Sequence, residues 1–491
     1  MSTVDNSSVN GLMKLWMYQF GILGRLSWSF LVHDFPLSLA IEFDKHSNRF
    51  LKRWAGLARS AELGILYRSN DRFGLGLTKI STHFKKMGVV KCLLLKHAKD
   101  PNIRQLYDDR VKREAHLDNW RATHLTTKVE QIVDFNTKFG GQTNRLGLGN
   151  NQYNYNPSPS EYRKICTKAV SDLESNKHWS HSHNLDMQGL WTKWFNNTHC
   201  LDFSWNSLIY GPGKKIISFL LNASINTLPS PYLLHLMNLG KSPKCPLCKQ
   251  QKLCHTSHIL SGCHYSLPRY SWRHDSILLT MLPELEQHLT QHSISKPLSS
   301  NIPRISSSFV ISDHPSSMPP KRPISNLLSC AHDWEILIDF DHKRLTVPPE
   351  ICSTDQRPDI VIWSQSSKTV YFIELTCPSE ENIEAAQVYK SARYIELCSL
   401  ASNHGWSSKT FPIESEARGF VARSMNSCFR NLGFTPKSAS SLCKSISGIV
   451  ARCSYHIWLN RYNKNWRKGP LLEPNAPSEP IQATHTVPGR V

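Results

Sequence analysis

Residues 357–376 read RPDIVIWSQSSKTVYFIELT, and they set Asp359 and Glu374 at the outer ends of two apolar, β-rich runs. The runs, 360–363 and 369–373, are separated by the polar turn Gln365-Ser366-Ser367-Lys368, which predicts a hairpin. Any symmetric loop centred on Ser366-Ser367 puts Asp359 directly opposite Glu374. Facing residues of an antiparallel pair hold their Cβ atoms about 4.5–5.5 Å apart, so two carboxylates there repel. Mg²⁺ or Mn²⁺ between them removes that cost, lowers the pKa of a bound water and offsets charge developing on a phosphorus centre in flight. Phosphodiester cleavage is the chemistry this pattern could do. Two solvated strand ends, or an odd loop that breaks the register, are the plain alternatives.

A cation is expected beside the pair. Ser379 followed by Glu380 and Glu381 has the form of a helix start, predicting a helix to about Leu400. At helical spacing Ile383, Ala386, Lys390, Tyr394 and Leu397 share a stripe, which embeds a lysine among apolar residues. Lys390 either reaches the metal and the scissile phosphate or bends its ammonium out to water.

A second cluster is denser. Residues 245–264 read CPLCKQQKLCHTSHILSGCH. Cys245 and Cys248 form a C-x-x-C knuckle whose loop lets two thiolates bind one Zn²⁺, and His258 and Cys263 complete a tetrahedral set. Four filled positions predict a closed, structural zinc site. Cys254, His255 and His264 stand close enough in sequence to substitute for one of the four.

The elements that must position these groups lie in a chain of 491 residues with 14 cysteines and a formal net charge of +20. That length accommodates two to four domains. No apolar run reaches the roughly 18 residues of a membrane span, and the N-terminus lacks the order of a signal peptide. Reduced thiols in a nuclear or cytoplasmic protein, neither secreted nor in a membrane, are therefore expected. Residues 1–150 hold 23 Lys/Arg against 13 Asp/Glu, and residues 418–491 hold 11 against 2, so the middle is nearly neutral. Basic ends around a neutral centre suit a polyanion partner. A generically basic, solvated surface is the other reading of the same charge.

Composition divides the chain into a helical region at 1–138, a Gly/Asn/Pro-rich linker at 139–185, a helical region with the Cys/His cluster at 186–293, a Ser/Pro-rich linker at 294–326, an α/β domain at 327–435 and a basic tail at 436–491. Within the first, Phe43, Phe50, Trp54 and Leu57 are spaced to form a packing face between basic residues. In the last, Tyr462 and Trp466 stand among Arg461, Lys464, Arg467 and Lys468, a mixture that could grip phosphate and stack bases, or could be a solvated tail. The fold class expected is α+β and multidomain: helical region, small zinc module, then a C-terminal α/β domain.

RPD at 357–359, ELT at 374–376 and K-x-x-x-Y at 390–394 together resemble the PD-(D/E)-x-K nuclease superfamily. More narrowly, they resemble the restriction-enzyme-like endonuclease at the C-terminus of some non-LTR retrotransposon polyproteins. NASINTLPSPYLLHLMNLG, CPLC, HILSGC and RYSWRHDSIL are similar to the zinc-knuckle region preceding that endonuclease. MKLWMYQF, GRLSWSFLVHDFPLSL and LKRWAGLARSA are similar to the reverse-transcriptase thumb and beyond. The resemblance implies that Asp359 and Glu374 hold Mg²⁺ (or Mn²⁺) and that Lys390, on the following helix, replaces the lysine that Thr376 displaces from E-x-K. It places Arg357, Arg393 and Tyr394 at the nucleic acid, with Asp339 as a weaker match to an upstream acidic position. It further implies a nick in target DNA that primes reverse transcription, with DNA or the element's own RNA as partner. Nothing supplies the aromatic-x-Asp-Asp site of a polymerase palm; Leu106-Tyr107-Asp108-Asp109 has leucine at the aromatic position and a charged, helical context. A non-catalytic nucleic-acid-binding remnant of the same element is the alternative, and oligomeric state is not legible.

Overall fold

The computed structural model describes residues 1–115, 120–146, 157–193, 198–199, 213–240, 242–248, 251–294, 326–340, 343–379 and 392–467, with 207, 210, 211, 388 and 390 between them. The architecture is mixed α and β, and the chain forms two compact units, one of residues 1–193 and 202–227 and one of residues 194–201 and 228–491. No helix of the described residues is long and apolar enough to cross a membrane. Every described cysteine is a free thiol.

The first unit is helical. Its main helices are α1 (Leu37–Ala55), α2 (Ile80–Lys96), α3 (Pro101–Ala115), α4 (Ala122–Leu146), α5 (Pro159–His183) and α6 (Lys214–Ser224). The buried stripe of α1 runs through Ala40, Asp44, Ser47, Leu51 and Trp54, one position round from the expected face, so Trp54 packs and Phe43 is exposed. Asp44 explains the rotation. Its carboxylate accepts the N–H groups of Ile80 at 2.7 Å and Ser81 at 3.3 Å, satisfying the first orphan donors of α2, which has no side-chain cap of its own. Val89, Cys92 and Leu93 of α2 then pack with Leu125 and Val129 of α4 and with Cys166 and Val170 of α5. Leu106-Tyr107-Asp108-Asp109 lies within α3, as its charged context predicts.

The expected linker at 139–185 is corrected: helix occupies 139–146 and 159–183. Ser158 starts α5 with a capping box, its hydroxyl accepting from the N–H of Glu161 while the Glu161 carboxylate accepts from the N–H of Ser158. Its Ser and Pro are helix-start chemistry inside what reads by composition as a loop.

The second unit is built on a four-stranded sheet, β1 (Trp334–Ile338), β2 (Ile360–Ser364), β3 (Thr369–Thr376) and β4 (Ser407–Glu414), ordered as numbered. β1, β2 and β3 are antiparallel neighbours and β4 runs parallel to β3. β2 and β3 form the hairpin, with Ile360 opposite Ile373 and Ser364 opposite Thr369. Asp333 closes the turn, accepting from the Ser364 hydroxyl at 2.6 Å and from the Ser366 N–H at 2.8 Å.

Both faces of the sheet are covered, which is why β2 and β3 read as continuous apolar runs. Ile360, Ile362, Tyr371 and Ile373 pack against Ile277 and Met281 of α7 (Leu267–Ile294) and against Ile446 and Val450 of α10 (Pro436–Leu459). Val361 and Phe372, on the other face, meet Leu397 and Ala401 of α8 (Ile395–Asn403). A further helix, α9 (Arg423–Asn431), buries Met425, Cys428 and Phe429.

Two more boundaries are thereby corrected. Residues 436–459 are not tail but a helix whose Leu442, Ile446, Ile449 and Val450 are core. The Cys/His region and the α/β region are one unit, because α7, which follows the Cys/His cluster, fills one face of the sheet. The expected linker at 294–326 falls almost wholly outside the described residues, as do residues 380–387 of the expected helix. Lys390 and Ala392-Arg393 are helical, a turn follows at Tyr394, and α8 continues to Asn403.

Candidate active site and metal centre

The Cys/His cluster starts from a narrow backbone loop. Cys245 donates its N–H to Lys252 at 2.9 Å and Cys254 donates to Pro243 at 2.8 Å, which folds the knuckle back on itself. The turn at His258–Gly262 then brings His258 and Cys263 over the two thiols. The ligand atoms of Cys245, Cys248, His258 and Cys263 all lie within 4.8 Å of one another, and all four residues are buried. Cys245 Sγ is 3.9 Å from Cys263 Sγ, and Cys248 Sγ is 3.7 Å from His258 Nε2. Tetrahedral zinc with bonds of about 2.3 Å to sulfur separates its sulfurs by about 3.8 Å, so this set fits a metal such as zinc.

The charge states fit as well. Burial raises the Cys245 thiol, but the N–H groups of Cys248 and Leu247 aimed at its sulfur more than reverse this and leave its pKa lowered. Burial keeps His258 low and therefore neutral, the form that ligates. Of the possible substitutes, Cys254 is pushed up to about 12 by burial and by the neighbouring thiols, and the His255 ring lies against Tyr232 with centroids 3.9 Å apart.

The acidic pair sits one residue beyond the last rung between β2 and β3. The N–H of Asp359 points at Glu374 Oε2 at 3.3 Å, and Asp359 Oδ2 accepts the N–H of Leu375 at 2.7 Å. Glu374 is buried, and its other contacts come from the far side of the sheet. Lys390 pairs with Oε1, and the Tyr394 hydroxyl donates to Oε2 at 2.6 Å. Burial, then the Asp359 charge, raise the Glu374 pKa against the opposing pull of Lys390 and Tyr394. Asp339 reaches the same place through its backbone, donating its N–H to the Asp359 carbonyl at 2.8 Å.

Asp339, Asp359, Glu374 and Lys390 line an open cleft of about 680 Å³, together with Asp355, Arg344, Arg357 and Arg393. Carboxylates and Lys390 are grouped with three arginines, Arg344, Arg357 and Arg393, all of them exposed. Asp359 carries its hydrogen bonds on Oδ2, whereas both oxygens of Glu374 are engaged. Among the described residues only the Cys/His cluster brings three or more metal-ligating groups together, and Asp339, Asp359 and Glu374 do not form such a set. Any cation contact through Glu374 requires Lys390 or Tyr394 to yield an oxygen.

His274 was not singled out by sequence. It lies on α7 and sets Nε2 at 3.2 Å from Asp359 Oδ2 and Nδ1 at 3.3 Å from Asp275 Oδ1. Burial pulls its pKa down, but Asp359 and Asp275 on either side hold it well above the usual imidazole value. The local signal for it is the charged triplet Arg273-His274-Asp275, which stands just before the apolar Ile277-Leu278-Leu279.

The basic residues after α10 are not assembled at the cleft. Residues 460–463 are held against α7, with Arg269 donating to the carbonyls of Asn460 at 2.8 Å and of Asn463, and Trp466 packs beside Trp272. The Arg461 guanidinium lies 4.1 Å from the Trp458 ring centroid. Trp466 is thus committed to packing, while Lys464 and Arg467 are exposed. Lys468 lies outside the described residues.

Comparison with protein-family models and with curated proteins finds no match for this chain.

Proposed function

We propose that the second unit is a metal-dependent DNA endonuclease of the restriction-enzyme-like kind found in non-LTR retrotransposons, joined to a zinc knuckle and a thumb-like helical region. The observation that carries this reading is the meeting of Asp359 and Glu374, from adjacent strands, with Lys390 in a cleft rimmed by Arg344, Arg357 and Arg393. A divalent cation held there supplies the Lewis acid and the activated water of phosphodiester hydrolysis. Asp359 and Glu374 would hold it, once Glu374 gives up its bond to Lys390 or Tyr394. Lys390 brings an ammonium to the position where the extra negative charge of the transition state develops, and the three arginines hold the flanking phosphates. The zinc knuckle is structural, since its four ligand positions are filled by side chains. A nick in DNA serving as primer for reverse transcription is the role that follows, in a chain without polymerase chemistry of its own.

One observation favours a second reading. Lys390 and Tyr394 together engage both oxygens of Glu374, so the pair is neutralised within the chain. A remnant that binds nucleic acid through its basic surface without cutting would keep that arrangement. Supercoiled plasmid incubated with the purified chain and Mg²⁺ or Mn²⁺ separates the two: open circles support the endonuclease, and bound but intact plasmid supports the remnant.

A further inference from the structure

We infer that His274 is a positioning residue for Asp359, holding one carboxylate oxygen so that the other is presented to the cation; this rests on the reading of Asp359 as a cation ligand. Two donors converge on Oδ2 of Asp359, the N–H of Leu375 at 2.7 Å and Nε2 of His274 at 3.2 Å. One hydrogen bond and one ion contact on the same oxygen orient the carboxylate. Among the described residues no hydrogen bond reaches Oδ1, which leaves that oxygen to face the cation. The imidazole is itself oriented, because Nδ1 faces Asp275 Oδ1 at 3.3 Å.

The preceding residue makes the placement of His274 rigid. Arg273 is fully buried and donates to the Leu260 carbonyl at 2.9 Å, to Ser454 Oγ at 3.0 Å and to the Cys377 carbonyl at 3.4 Å. Leu260 lies in the turn between His258 and Cys263, and Cys377 directly follows β3. Consecutive residues of α7 therefore tie the zinc turn to the end of one active-site strand and to the acidic residue at the start of the other. Groups that hydrogen-bond a ligating carboxylate orient it and tune its basicity, and losing one costs about 10–100-fold in metal affinity. An imidazole that merely filled space beside Asp359 would carry no such effect.

The test uses the full chain and Mn²⁺ as the probe, read both by Mn²⁺ binding in electron paramagnetic resonance and by the Mn²⁺ dependence of nicking. Gln carries its amide nitrogen where His carries Nε2, whereas Asn carries it where His carries Nδ1. H274Q is expected to bind Mn²⁺ within a few-fold of wild type. H274N is expected to need about 10–100-fold more Mn²⁺ for half-saturation while its rate at saturating Mn²⁺ falls far less. Zinc content and melting temperature of the two variants, compared with wild type, show that both are folded. Equal Mn²⁺ affinity for H274Q, H274N and wild type overturns the inference, as does a loss confined to the saturated rate. D359A is the separate arm: if it binds Mn²⁺ like wild type, the acidic-pair reading fails and the inference with it. If D359A loses Mn²⁺ and H274N keeps it, only the role of His274 is overturned.

Discussion

Tyr394 donates its hydroxyl to Glu374 Oε2 at 2.6 Å from the turn that precedes α8. The bond ties the helical side of the unit to β3 through a carboxylate that is itself buried. A hydrogen bond to a charged group contributes about 1.5–3 kcal/mol. Y394F keeps the ring against Val361 and Leu397 and removes only the donor. Urea denaturation is expected to show a loss in that range, and Mg²⁺-dependent nicking is expected to fall several-fold. A change below about 0.5 kcal/mol would mean that the bond contributes nothing net to the fold.

Lys390 and Glu374 form a mostly buried pair, their side chains 18% and 8% exposed. Removing one partner of a buried pair leaves the other charge uncompensated, at a cost of up to about 3–5 kcal/mol, less where water still reaches the group. K390M is expected to destabilise the chain by up to about 3 kcal/mol. The double variant K390M/E374Q is expected to recover most of that loss, and both are expected to be inactive in nicking. A double variant no more stable than K390M would show that the lysine acts through packing rather than through the carboxylate.

Read as a zinc site, the cluster of Cys245, Cys248, His258 and Cys263 predicts one zinc per chain after purification without chelator. Because metal binding is coupled to local folding, stripping zinc is expected to lower the melting temperature and to open Lys252 to trypsin. The C248S variant is expected to behave like the stripped chain. Substoichiometric zinc in the intact chain, or a tryptic pattern that is unchanged by chelation, would count against the site.

The first unit carries its own pH dependence. His83 and His178 are both lowered to about 4, by burial first and then by the nearby lysines Lys86 and Lys79 respectively. Their folded pKa values lie below the unfolded value of about 6.5, so between the two the unfolded chain binds more protons. Stability is therefore expected to rise with pH across that window and to be lost as pH falls from about 6.5 toward 4. Denaturation midpoints of wild type and of the double variant H83N/H178N, measured from pH 7.5 to 4.5, check this. A wild-type slope no steeper than that of the double variant contradicts it.

How much of this was legible in the sequence depended on the range of the signal. The hairpin register followed from the symmetry of two short runs about Ser366-Ser367, and the four metal-ligand candidates from spacing within 19 positions. Both are local. The helix α5 was hidden because its start, Ser158-Pro159-Ser160-Glu161, has the composition of a loop until its capping box is recognised. The helix α10 was hidden because serines punctuate its stripe and the residues from Arg418 onward have the basic composition of a tail. His274 meets Asp359 across 85 positions, and no periodicity links two such residues; only the packing of α7 on the sheet does. Lys390 stood out as a cation in an apolar stripe, but its commitment to Glu374 depends on where that helix docks.

The most direct test of the central claim is plasmid nicking by the wild-type chain and by D359A at equal protein and Mg²⁺ concentration, with zinc content and melting temperature matched. Metal-dependent conversion of supercoiled to open-circle plasmid by wild type, reduced at least 100-fold in D359A, is the expected result. Nicking that persists undiminished in D359A would contradict the assignment of the site, and a wild type that binds plasmid without nicking it would contradict the endonuclease.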